Sequence, residues 1–95
     1  MDQGRVFEQL LKIASENNLR IAFVPFENHY GKLKGDRIGL CINMDLVKIN
    51  YTLAHELAHY FLHFDKGDTM NSNYYGDYEE QADRAANMLL AAVAL

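Results

Sequence analysis

The segment "YTLAHELAHYFLHF", residues 51–64, constrains this chain more than any other stretch. It sets His55, Glu56, His59 and His63 among residues that belong in a protein core. Buried polar groups cost free energy unless something satisfies them. The spacing predicts a helix from about Asn50 to Phe64, capped by Asn50 or Thr52. On its wheel Leu53, Ala54, Leu57, Ala58, Phe61 and Phe64 share one side, while Thr52, His55, Glu56, His59 and His63 share the other. The apolar face is intact, so the polar stripe reads as a site and the rest of the helix as core.

His55 and His59 are i, i+4 neighbours, so both imidazoles can reach one ion. Glu56, about 100° round the helix, can reach a water on that ion. Two histidine ligands and a glutamate placed as general base form the HExxH pattern. A catalytic zinc takes three protein ligands and a water, so a third ligand is needed. His63 lies two turns beyond His55, about 12 Å along the axis, too far for ligand bonds of about 2 Å. Asp65 has the third-ligand spacing of metzincin-like sites, but Leu62 stands where those sites need a glycine.

The better third ligand lies in "DYEEQADRAANMLLAAVAL", read as a helix from Tyr78 to near the end. Asp77 is the expected cap, with Glu80 completing a capping box. Ala82, Asp83, Ala86, Leu89, Leu90 and Val93 fall within about 80° of Glu79, which puts Glu79 on the core-facing stripe. Glu80 points instead toward Arg84 and Asn87, where an ion pair with Arg84 is expected. A His₂Glu zinc site from His55, His59 and Glu79 follows. Asp83, one turn past Glu79, can accept a hydrogen bond from a ligand histidine and fix its tautomer.

The remaining chain supplies a scaffold. Val6, Phe7, Leu10, Leu11 and Ala14 recur at helical spacing, with Asp2 as cap and Asn17-Asn18 as stop. "LRIAFV" reads as a strand closed by Pro25, the only proline. "HYGKLKGDRIGLCIN" reads as two short strands around a turn at Gly35-Asp36. Asn43 to Asn50 is a connector with room for a helical turn, and the polar stretch Asp65–Asp77 is a loop. Helix, strands, helix, helix predict an α+β domain spanning residues 1–95, with a small antiparallel three-stranded sheet.

At 95 residues, 49% apolar and 23% charged, the chain has the composition of one ordinary globular domain. A net charge of −4 with no Lys/Arg cluster argues against direct nucleic-acid binding. The single cysteine, Cys41, excludes an internal disulfide and suits a reducing compartment, and it reads as a small core residue. No signal segment opens the chain, and no apolar run is long enough to span a bilayer. A cytoplasmic protein is expected.

In "GDRIGLCIN", "TLAHELAHYFLH" and "EEQADRAANMLL" the sequence resembles the ImmA/IrrE family of metallopeptidases, over most of the chain after residue 30. It departs from the family at Ala85, where phenylalanine is usual, and at "AAVAL", which replaces the usual Met-Pro ending. The resemblance implies a minimal zincin-like fold with a gluzincin-type site. His55, His59 and Glu79 correspond to zinc ligands, Glu56 to the catalytic glutamate and His63 to a second recurring histidine. It implies a protein substrate, often a helix-turn-helix repressor of a phage or mobile element. The alternative is a zinc-stabilised module that binds such a repressor without cutting it. His63, Tyr74, Tyr75 and Tyr78 are near enough in sequence to stabilise an oxyanion. The strand around Arg37–Ile42 is the expected edge for pairing with an extended substrate.

Overall fold

The computed structural model describes residues 2–63 and 75–95. Phe64, Asp65, Tyr74 and the greater part of the polar stretch Asp65–Asp77 lie outside the described residues. The elements run α1 (Gln3–Glu16), β1 (Arg20–Val24), β2 (Gly31–Lys34), β3 (Arg37–Cys41), α2 (Leu46–His63) and α3 (Tyr75–Val93). This is an α+β fold. No described helix is long and apolar enough to cross a membrane.

Local chemistry accounts for most boundaries. Asp2 caps α1 by accepting from the Arg5 amide at 3.2 Å. Asn18, at φ 60°, turns the chain out of α1 in the left-handed region that asparagine tolerates. Gly35, also at φ 60°, opens the two-residue turn between β2 and β3. α2 starts four residues before the predicted Asn50. Its cap is Asp45, whose carboxylate accepts from the Lys48 amide at 2.9 Å. Asn50 is therefore interior, and its side-chain amide donates to both Gln3 O and Gln3 Oε1 at 2.9 Å, tying α2 to the start of α1. α3 also starts early. Asp77 lies in its first turn, where the helix dipole favours an acid, and not ahead of the helix as its cap.

The sheet order is β1-β3-β2, with β1 parallel and β2 antiparallel to β3. The sheet is thus mixed where an all-antiparallel one was expected. The link from β1 to β2 passes over the end of β3 and seats Phe26 on its far face. A Cβ at Gly39 would stand 2.9 Å from Phe26 Cζ, so any larger residue there would have to push the ring aside. β3 becomes the central strand, and the edge beside α2 is β2, not Arg37–Ile42.

Val6, Leu10 and Ala14 of α1, Leu19, Ile38 and Leu40 of β3, and Leu53, Ala54 and Leu57 of α2 make one buried cluster, joined by Ala86 of α3. Phe61, expected on this apolar face, is instead about half exposed. Ala82 and Ala86 are fully buried, so α3 approaches its neighbours closely along this small-residue face. Ala86→Leu should overpack this contact and destabilise by roughly 1–3 kcal/mol. Denaturant unfolding of both proteins measures it, and an unchanged midpoint would mean a looser contact at α3.

Candidate metal centre

α2 and α3 lie against one another with their polar positions facing. His55 Nε2 stands 3.0 Å from Glu79 Oε2, and His59 Nε2 stands 2.9 Å from Glu79 Oε1. The two imidazole Nε2 atoms are 3.1 Å apart. His55, His59 and Glu79 thus form a group of ligand-type side chains able to hold a metal ion, the one such group among the described residues. Tetrahedral zinc with bonds of about 2.0–2.1 Å separates its ligand atoms by about 3.3–3.4 Å. The observed spacings fall a few tenths of an ångström short of that, so the donor set fits the ion with small adjustments. Both histidine side chains are well covered, at 15% and 10% exposed, whereas Glu79 at 32% keeps one side open.

Asp83 supplies a second layer. Its Oδ1 lies 2.9 Å from His55 Nδ1. The contact is close but off the axis of the ring N–H, so this buried nitrogen has no aligned partner. The same Oδ1 accepts a hydrogen bond from the Tyr51 hydroxyl at 2.9 Å. Partial burial, that hydrogen bond and the charges of Asp83 and Glu79 all push the Tyr51 phenol up, so it stays a donor. Sequence reasoning missed Tyr51. The available signal was its place one turn before His55, on the same helix face.

Glu56 is buried beside β2. A Cβ at Gly31 would stand 2.5 Å from Thr52 Cγ2 and 3.4 Å from Glu56 Cγ, so the glycine lets the edge strand sit on the helix at the glutamate. Burial pushes the Glu56 carboxyl up to about 7; His55 opposes the shift and Glu79 adds to it. A carboxyl poised near neutrality is suited to taking up and releasing a proton. A cation held by the adjacent histidines would pull it back down.

Glu80 is turned away from the histidines. Its Oε1 lies 3.4 Å from Arg84 Nη2 in an exposed i, i+4 pair. Cys41 is a buried free thiol whose Sγ contacts Phe26 O at 3.6 Å. It is not part of the metal-ligand group.

No curated protein and no solved structure matches this chain. The family profile described as the IrrE N-terminal-like domain, a peptidase family, matches residues 14–95. That span holds all three strands, both helices of the centre and His55, Glu56, His59 and Glu79. The chain therefore belongs to the IrrE N-terminal-like domain family of peptidases.

Proposed function

We propose that this protein is a zinc-dependent endopeptidase acting on a protein substrate, with a helix-turn-helix repressor as the substrate class. The observation that carries the reading is that His55 Nε2, His59 Nε2 and a Glu79 carboxylate oxygen lie within 4.8 Å of one another, next to a buried glutamate. His55, His59 and Glu79 would hold the zinc. Bound there, zinc supplies Lewis acidity that polarises a scissile carbonyl and makes a water acidic near neutral pH. Glu56 takes the proton of the attacking water on its carboxylate and delivers it to the departing amine nitrogen. Asp83, facing His55 Nδ1, holds that ring's proton away from the donor nitrogen. β2, hydrogen-bonded only to β3 within the sheet, offers its free edge to an extended substrate. The repressor class rests on the family resemblance.

The test is to incubate the zinc-loaded protein with a purified helix-turn-helix repressor encoded beside it. New fragments that a chelator prevents and zinc restores are the expected result. A repressor retained by the protein but left uncut would instead mark a binding module.

A further inference from the structure

Tyr51 stands outside the His55–His59–Glu79 group, yet one oxygen atom joins it to the centre. Along α2, Tyr51, His55 and His59 recur every four residues. Their ring centroids are 6.2 Å apart for the first pair and 4.7 Å for the second. Along α3, Glu79 and Asp83 recur at the same interval. The two rows pair in opposite chain directions. Tyr51 meets Asp83, His59 meets Glu79, and His55 meets both. Asp83 Oδ1 is the shared atom, 2.9 Å from the Tyr51 hydroxyl and 2.9 Å from His55 Nδ1.

The Asp83 side chain is 51% exposed. Water competes for a carboxylate in that position, and its rotamers stay open unless a second group fixes them. Partners of a ligand imidazole's other nitrogen set its tautomer and its orientation. The geometry points to Tyr51 as a positioning residue of the metal centre. Its hydroxyl holds Asp83 Oδ1 2.9 Å from His55 Nδ1, off the ring N–H axis, so that this carboxylate charge keeps the ring proton on Nδ1 and leaves the Nε2 lone pair for the metal. This role rests on the metal reading above and deepens it.

Zinc affinity under a competing chelator tests the role in four proteins: wild type, Tyr51→Phe, Asp83→Ala and the double variant. Phenylalanine keeps the ring and removes only the hydroxyl. Tyr51→Phe should bind zinc about tenfold more weakly, the low end of the range for outer-shell partners of a metal ligand. In the Asp83→Ala background it should cost nothing further, because the atom it acts through is gone. Unchanged or tighter binding by Tyr51→Phe would overturn the role. An equal loss in both backgrounds would also overturn it, since the ring would then act by packing alone. If the wild type itself takes up no zinc, the metal reading fails and this role with it. Wild-type binding with an indifferent Tyr51→Phe removes Tyr51 alone.

Discussion

Glu56→Gln should leave the protein folded and zinc-loaded while peptide hydrolysis falls by about 10²–10⁴-fold, the usual worth of a positioned acid–base group. That loss corresponds to about 3–5 kcal/mol of transition-state stabilisation. Glutamine matches glutamate in shape, so the packing beneath Gly31 is retained. It cannot take up a proton at the pH of the reaction. Zinc should remain because the converging donor atoms belong to His55, His59 and Glu79. Single-turnover hydrolysis and zinc content measured on one preparation check both halves. Cleavage at the wild-type rate would remove Glu56 from the proton transfer.

The second large effect separates two adjacent glutamates. Glu79 faces both histidines with both carboxylate oxygens, whereas Glu80 reaches only Arg84 on the surface. Glu79→Gln removes the one anionic donor and should lower zinc affinity by more than about 100-fold, beyond the range of outer-shell changes. Glu80→Gln breaks an exposed helical ion pair worth about 0.3–0.5 kcal/mol and should leave zinc binding intact. Zinc titration of both variants against a chelator decides the matter. Loss of metal in Glu80→Gln, with retention in Glu79→Gln, would place the wrong face of α3 at the histidines.

Helical periodicity made the facing positions of α2 and α3 legible in the sequence. A period of 3.6 fixes which residues share a face, so it separates Glu79 from Glu80 and aligns His55 with His59. It also sets Asp83 behind Glu79. Helix starts were less legible. Asp45 caps α2, yet Asn50 and Thr52 are equally good capping types nearer the apolar run, and local preference does not choose among them. Asn50 proved to be an interior residue bonded to Gln3 across the fold, a contact that sequence spacing does not contain. The hairpin at Gly35-Asp36 was readable because a two-residue turn is local. The parallel pairing of β1 with β3 was not, since alternation says which face is buried and nothing about which neighbour a strand takes. The glycine inside "RIGLC" was the available hint, because an interior glycine often marks a close approach by another group. Here that group is Phe26. Tyr51 escaped notice for a similar reason: its partner, Asp83, is 32 residues away on another helix.

The most direct measurement is X-ray absorption at the zinc edge on protein loaded with zinc and freed of excess. The proposed function predicts about one zinc per chain, in a shell of nitrogen and oxygen donors at about 2.0–2.2 Å and no sulfur. Failure to retain zinc would contradict the site outright. A sulfur donor at about 2.3 Å would contradict it too, because it would move the metal to Cys41 and away from His55, His59 and Glu79.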